Sequence, residues 1–410
     1  MVDYPKDWEK VKLFDLMIPY GGLSGKSSED FKSGNKKYIS YLNVFNNFYI
    51  ENITEKVNIK SNERQNVVNK GDIIFTQSSE TLDEVGMTST YLGEEEVYLN
   101  SFCFGARQKR EFNSVFMVLL LRSKEIRKKI SKEGQGSTRY NLSPNRLMSI
   151  KLVIPPLHEQ KHIAETLMTF NRHIENLERL IEKKKMIRDG AVEDLMTGKT
   201  RLDGFNGEWE EVKLEDVCND NGMVRGPFGG SLKKEYFVNK GYKVYEQRNA
   251  IYKSVDIGNY YIDLNKFEEL KRFKLKENDF IISCSGTIGE IYQIPKKFKK
   301  GIINQALLKI SINTNLCDLT FFKNYFSWEK FKSKIIDDTQ GGAMKNLVGM
   351  DKFRKTKLYI PSDIKEQQGI ADILTSMDEE IENLEKEKAK IEKIKDGAMD
   401  DLLTGKVRLI

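Results

Sequence analysis

Cysteine is scarce and scattered in this chain of 410 residues. Its four copies, Cys103, Cys218, Cys284 and Cys317, never form a Cys-x-x-Cys pair, which argues against a zinc ribbon or a disulfide framework and for buried free thiols. Long apolar runs are also missing. The longest, Val115 to Leu121, falls well short of the roughly 20 residues that cross a bilayer. The opening Met1-Val2-Asp3-Tyr4-Pro5-Lys6-Asp7 has no apolar stretch of the secretory kind, so a cytoplasmic protein with no membrane partner is expected. Neither sign of charge dominates: a net charge of +6 and a pI near 8.7 are compatible with nucleic acid without establishing it.

Catalytic motifs are lacking as well. There is no dinucleotide-type glycine loop after a strand and no Asn/Asp-Pro-Pro-aromatic motif of amino-methyltransferases. The segment Gly21-Gly22-Leu23-Ser24-Gly25-Lys26-Ser27 resembles a phosphate loop but has three residues where four are required, with Tyr20 preceding it. Gly198-Lys199-Thr200 fails likewise, because Glu193 occupies the place of the first glycine. No cofactor and no metal are expected.

What the chain does contain is itself, twice. Ile174-Glu175-Asn176-Leu177-Glu178 returns as Ile381-Glu382-Asn383-Leu384-Glu385, and Asp194-Leu195-Met196-Thr197-Gly198-Lys199 as Asp401-Leu402-Leu403-Thr404-Gly405-Lys406, both displaced by 207 residues. Arg201-Leu202 and Arg408-Leu409 close the two copies, and Trp8 and Trp209 open them. Between these ends the similarity fades, so two like scaffolds carry unlike surfaces.

The tail of each copy has the pattern of a long helix following prolines. Ile163, Leu167, Phe170, Ile174, Leu177 and Ile181 alternate spacings of four and three, as do Ile370, Leu374, Met377, Ile381 and Leu384, with Ile391 further on. This is the apolar seam of a coiled coil. Lys184, Arg188, Lys388 and Lys395 fall in the same register, where polar residues fix partner and alignment. Helices of about 37 residues, roughly 55 Å long, separated by a globular unit, pack most simply as an antiparallel pair with an approximate two-fold axis. The globular parts show short β-branched and aromatic runs, such as Tyr38-Ile39-Ser40-Tyr41-Leu42, Asp279-Phe280-Ile281-Ile282 and Leu307-Leu308-Lys309-Ile310, with helical stretches such as Phe321 to Lys334. The fold class is α+β, with globular domains at 1–157 and 201–364 and helical spacers at 158–200 and 365–410.

His158-Glu159-Gln160-Lys161-His162 has the H-E-x-x-H form of a zinc-protease helix. The matching segment of the second copy, Lys365-Glu366-Gln367-Gln368-Gly369, keeps Glu-Gln and neither imidazole. The helix dipole accounts for a glutamate in a first turn.

A Trp-opened variable domain, a Gln-Gly-(Ser/Gly) turn, Asn-Leu, then Glu-Gln and a long helix, all repeated, resemble the specificity subunit of type I restriction-modification enzymes. The pieces are Gln135-Gly136-Ser137-Thr138-Arg139-Tyr140-Asn141-Leu142 and Gln340-Gly341-Gly342-Ala343-Met344-Lys345-Asn346-Leu347. Arg225-Gly226-Pro227-Phe228-Gly229-Gly230-Ser231-Leu232-Lys233 and Ser283-Cys284-Ser285-Gly286-Thr287-Ile288-Gly289 are typical of that family's target-recognition domains. The first copy departs from the pattern, with Tyr20 to Lys26 and Thr76-Gln77-Ser78-Ser79-Glu80 in the corresponding places. The resemblance implies a non-catalytic subunit that reads a bipartite double-stranded DNA target, half per recognition domain. Its helices serve as a ruler and as docking surface for two methyltransferase subunits, which restriction subunits join. A related restriction-modification system outside type I, or a coiled-coil adaptor binding other proteins, is the alternative.

Reading DNA needs amide and guanidinium groups for base edges, with hydroxyls and lysines for phosphate. The candidates in the first domain are Gln77, Ser78, Arg107, Thr138, Arg139, Tyr140 and Asn141. Those in the second are Arg225, Lys233, Gln247, Arg248, Asn249, Ser285, Thr287, Asn304, Gln305, Lys345 and Asn346. The pure chain, free of partners, is expected to show no methylation, DNA cleavage or ATP hydrolysis. Turnover that a point mutation within this chain abolishes would refute that.

Overall fold

The structure, a computed structural model, describes residues 4–337 and 346–410, the side chains of residues 337 and 346 aside. No described helix is long and apolar enough to cross a membrane. The chain divides into two compact units, Met1–Arg179 with Glu385–Ile410, and Leu180–Leu384. The division falls inside the long helices rather than at their ends, so each unit takes one piece of each helix.

In the first unit, strand Glu9–Lys12 pairs antiparallel with Lys151–Ile154 and so closes the globular part on itself. Between them lie a five-stranded sheet, in which Cys103–Gln108 runs between Met17–Gly21 and Ile73–Thr76, and a four-stranded sheet. The apolar run noted above is the helix Ser114–Arg122, in which every residue from Val115 to Leu121 is buried. An all-round apolar helix belongs inside a core. The second unit repeats the plan: Trp209–Lys213 pairs with Lys357–Pro361, around a four-stranded sheet, a three-stranded sheet and the buried helix Leu319–Ser327.

Two expectations need correction. The run 38–42 is not one strand: the strand Lys36–Ile39 ends where Ser40 accepts a hydrogen bond from Asn43 N and caps the helix Tyr41–Asn46. The helical stretch 321–334 is two helices, Leu319–Ser327 and Glu329–Ile335, parted at Trp328, whose backbone is extended.

The long helices are Leu157–Met196 and Ile364–Thr404. In the first unit Lys388 Nζ lies 2.7 Å from a Glu178 carboxylate oxygen and His173 Nε2 3.7 Å from Glu387, while Ile163 and Leu167, earlier in their helix, pack with Leu402 and Leu403, later in theirs, so the two pieces run antiparallel. In the second unit Lys184 meets Glu380 at 2.7 Å and Arg188 meets Asp378 at 2.9 Å, antiparallel again. Lys395 packs over the ring of Phe48 at 5.3 Å. The seam is less uniform than its spacing implies. Ile163 and Leu167 join Leu402 and Leu403 in the core of the first unit, with Phe170 partly buried against it. Ile370 and Leu374 join Val192, Leu195 and Met196 in that of the second, with Met377 partly buried beside them. Ile174, Leu177, Ile181 and Ile381 are buried outside these clusters, whereas Leu384 and Ile391 are partly exposed.

At the start of each long helix the repeated Glu-Gln is buried, and the helix dipole is not its main partner. Glu159 receives Arg408 Nε at 2.6 Å and Nη2 at 2.8 Å, with Trp8 Nε1 at 3.3 Å. Glu366 receives Arg201 Nε at 2.5 Å and Nη2 at 2.7 Å, with Trp209 Nε1 at 3.4 Å. Each arginine also stacks near its tryptophan, at 5.9 and 5.8 Å. The repeated glycines Gly198 and Gly405 have φ of +67° and +73°, the left-handed conformation that ends a helix and that glycine adopts without penalty. They turn the chain toward these arginines.

The neighbouring glutamines tie the long helices to the buried ones. Gln160 Oε1 accepts from Asn113 N at 2.9 Å and its Nε2 donates to Pro155 O at 2.9 Å. Gln367 does the same with Asp318 N and Pro361 O, both at 2.9 Å. Asn113 and Asp318 are the N-caps of the two buried helices. Replacing Gln160 or Gln367 by Ala leaves a backbone N–H without its partner, and each change is expected to lower stability by about 1–3 kcal/mol. Denaturant titration of the complete chain checks this, and an unchanged midpoint for both variants would contradict it.

Candidate nucleic-acid interface

In each unit loops that leave or enter the central strands meet at one end of the sheet. In the second unit strand Cys218–Arg225 ends at Arg225, paired with Leu308. Gly226 N donates to Leu307 O at 2.9 Å, and Cys284 N to Ala306 O at 2.9 Å. A Cβ built on Gly226 would stand 1.8 Å from Asn304 O, so only glycine allows these two loops to touch. Arg225 Nε donates to Gln305 O at 3.2 Å, and its guanidinium lies 5.7 Å from the ring of Phe228, which is 65% exposed. Ser285 and Thr287 project from the exposed turn after strand Phe280–Ser283, and a Cβ on Gly286 would lie 3.5 Å from Gln247 Nε2. Arg225, Gln247, Ser285, Thr287, Asn304 and Gln305 thus share one surface.

Other candidates of the second unit are engaged elsewhere. Asn249 is fully buried, its Nδ2 donating to Ser254 O and Ile257 O and its Oδ1 accepting from Glu246 N. It fixes the turn that carries Gln247, and all of its polar atoms are spent there. Arg248 gives both Nε and Nη2 to Glu246, at 3.0 and 2.8 Å. Lys233 is exposed, 3.7 Å from Glu235. Lys345 and the side chain of Asn346 lie outside the described residues.

The first unit has the same construction with other side chains. Gly22 approaches Asn100 O as Gly226 approaches Asn304 O; its Cβ would be 2.2 Å away. Gln77 N donates to Phe102 O at 2.8 Å, and Leu142 N to Gln77 O at 2.8 Å. Gln135 and Asn141 exchange backbone hydrogen bonds of 2.9 and 2.7 Å, closing a loop that presents Thr138 and Arg139 to solvent. Within it Gly136 has φ +137° and sits where a Cβ would be 2.1 Å from Arg139 O, which is why the Gln-Gly turn requires glycine. Tyr140 and Asn141 pair with Ser79 and Ser78. Ser78 is buried and its carbonyl accepts from Tyr41 Oη at 2.9 Å.

Arg107 does not join this cluster. It lies toward the other end of strand Cys103–Gln108, where its Nη2 donates to Asp72 at 2.9 Å and to Val67 O at 2.7 Å and its guanidinium covers the Tyr20 ring.

Sequence reasoning missed Leu42, Phe45 and Phe102, which line a cleft of about 330 Å³ with Tyr41, Ser78 and Arg139. Leu42 is 64% and Phe102 55% exposed. An apolar side chain in a loop looks in sequence like one more core residue. Arg122 holds this region in place: its guanidinium donates to the carbonyls of Thr88, Val44, Phe45 and Asn47, at 2.6 to 3.0 Å. Desolvation by burial, then Arg127 nearby, pulls Arg122 down to about 10, which leaves it a cation at neutral pH. The cysteines are free, and burial pushes Cys103 up to about 12 and Cys284 up to about 11. Such thiols are not nucleophiles.

The chain matches a family model, "Type I restriction modification DNA specificity domain", twice, over residues 5–184 and 206–393. It is 25% identical over 439 aligned positions to the type I restriction enzyme MjaVIII specificity subunit of Methanocaldococcus jannaschii, covering 99% of this chain and 94% of that one. A shorter stretch is 26% identical over 167 positions to the type I restriction enzyme EcoKI specificity subunit of Escherichia coli, covering 38% of this chain and 36% of that one. Among solved structures, the S subunit of a type I restriction-modification system from M. genitalium superposes with a TM-score of 0.56 at 16% identity, covering 96% of each chain. The HsdS subunit from Thermoanaerobacter tengcongensis gives 0.52 at 15% identity, covering 99% of this chain and 98% of that one. At these identities the structures speak for the fold.

The glycine contact is testable. Gly226→Ala is expected to force the two loops of the second unit apart and to cost about 1–3 kcal/mol, the range for overpacking. Gly190→Ala, at a helical position with nothing within 4 Å, should instead stabilise by about 0.5–1 kcal/mol. Thermal melts of both variants decide it; equal effects would rule out the contact as the cause.

Proposed function

Because the chain belongs to the family of type I restriction-modification DNA-specificity subunits, we propose that it reads a bipartite duplex DNA target, one half-site for each globular part. The observation that carries this reading is that the family match falls once in each repeat, over residues 5–184 and 206–393. A tandem of like domains with unlike loops suits two unlike half-sites. Recognition is best served by loops held on rigid strand ends, where side chains meet base edges without first being ordered. Flanking exposed cations such as Lys233 and Arg139 supply the phosphate contacts that position the duplex but carry no sequence information.

Methylation belongs, on this reading, to partner subunits. Two methyltransferase subunits dock along the paired helices, restriction subunits join the complex, and the chain itself supplies the address. Its working place is then the cytoplasm, where the DNA lies.

Exchanging residues 209–350 for the corresponding region of a homologue of different specificity should change one half of the methylated sequence and leave the other intact. Genome-wide mapping of methylated bases is the readout. A change in both halves would defeat the assignment of one half-site to each domain. Binding by the chain with its methyltransferase should weaken with salt, as phosphate contacts require; a complex without affinity for DNA would point to the adaptor reading.

A further inference from the structure

Three of the candidate cations already have a carboxylate. Arg248 is paired with Glu246, Lys233 lies near Glu235, and Arg107, further along its strand, is paired with Asp72. Arg225 is different. Among the described residues no carboxylate lies within 4 Å of it; its side chain is held instead by the Gln305 carbonyl at Nε and by the neighbouring Phe228 ring. Its backbone is fixed in the sheet by the pairing of Arg225 with Leu308, one residue before the glycine that seats the two loops against each other. Arg139 in the first unit also has no carboxylate partner, but it is exposed in a turn and its side chain has no comparable anchor.

We propose that Arg225 is a specificity-determining residue of the second unit and reads a guanine in the major groove. This deepens the proposed function and rests on it. The chemistry follows from how the side chain is held. Nε is committed to a backbone carbonyl and the guanidinium lies beside the Cys284 thiol, a weak acceptor, so its two terminal nitrogens keep most of their donor capacity. Those two donors match the O6 and N7 acceptors that guanine alone displays side by side. The anchors remove most of the rotamer freedom that a long side chain would otherwise lose on binding. A phosphate contact needs no such fixing, and the exposed lysines Lys233 and Lys234 on the following loop are placed for one. Exposed Phe228 beside the guanidinium excludes water from one flank and so strengthens the contact.

The test uses the full chain in complex with its methyltransferase subunits. Mapping the methylated sites of the wild type identifies the half-site that responds to exchange of residues 209–350; a guanine is required there. Duplexes with 7-deazaguanine at that position lack the N7 acceptor. The wild-type complex should bind them several-fold more weakly, and adenine at that position about five-fold or more. Arg225→Ala should bind guanine, 7-deazaguanine and adenine duplexes alike. Arg225→Lys keeps the charge and covers the case in which the alanine variant does not fold: it should retain overall affinity but lose most of the guanine preference.

A half-site without guanine overturns the proposal, as does a wild type indifferent to 7-deazaguanine at every guanine of that half-site. So does an Arg225→Ala variant that weakens every sequence equally while keeping the guanine preference, since that is the behaviour of a phosphate contact. In each of these cases sequence-specific binding by the wild type survives. If the wild-type complex shows no sequence preference at all, the proposed function itself fails, and the role of Arg225 with it.

Discussion

A carboxylate that is taken out of water must be met by a cation and hydrogen-bond donors, or it costs more than the fold can supply. Glu159 and Glu366 are 0% and 1% exposed, and most of what distinguishes this architecture follows from satisfying them. Each stands in the first turn of a long helix and brings together three segments: the helix itself, the tryptophan that opens a globular part, and the arginine that follows the end of the opposite long helix. The adjoining glutamines extend the same junction to the buried helix by completing its N-cap. Helix start, strand start and helix end are therefore fixed at one point in each unit. The left-handed glycines Gly198 and Gly405 are the turns that make this possible.

The loop clusters share none of the residues of this junction and are free of its constraints. The junction needs specific residues, which is why Trp, Glu-Gln and Arg-Leu recur in both copies. The strand-end loops need only a glycine where two backbones touch, Gly22 in one unit and Gly226 in the other. Around those contacts the first unit presents Leu42, Phe102 and Arg139, and the second presents Arg225, Phe228 and Gln305. One scaffold holds an apolar cleft in one case and an anchored guanidinium in the other.

Much of this was legible in the sequence because repetition and periodicity are properties of the chain alone. The duplication, the α+β class, the two long helices and their antiparallel pairing rest on spacing, and spacing survives folding. The junction was visible only in part. Trp8, Glu159 and Arg408 each stood out as repeated, but nothing in one dimension says that a residue 249 positions downstream closes a salt bridge. The dipole sufficed as a reason for Glu159 only while its burial was unknown. The site residues divided for the same reason. Asn249 and Gln247 are two positions apart and chemically alike, yet one is buried with every polar atom spent and the other reaches the loop cluster. Arg107 and Arg225 both lie on a strand, yet Arg107 is turned to Asp72 and Val67 O away from the loops, whereas Arg225 ends its strand at the loop cluster. Leu42 and Phe102 escaped notice because an exposed apolar side chain and a buried one are written with the same letter.

The junctions also set a timetable for synthesis. In the second unit the arginine leaves the ribosome before its carboxylate, so Glu366 finds Arg201 already made. In the first unit the order is reversed: Glu159 emerges 249 residues ahead of Arg408. At about 5–20 residues per second, that is a wait of roughly ten to fifty seconds. Throughout it the first globular part has all of its own strands but lacks the helix piece that supplies Leu402 and Leu403 to its core. The nascent chain therefore displays an apolar seam and an unmatched carboxylate until Leu402, Leu403 and Arg408 have been made.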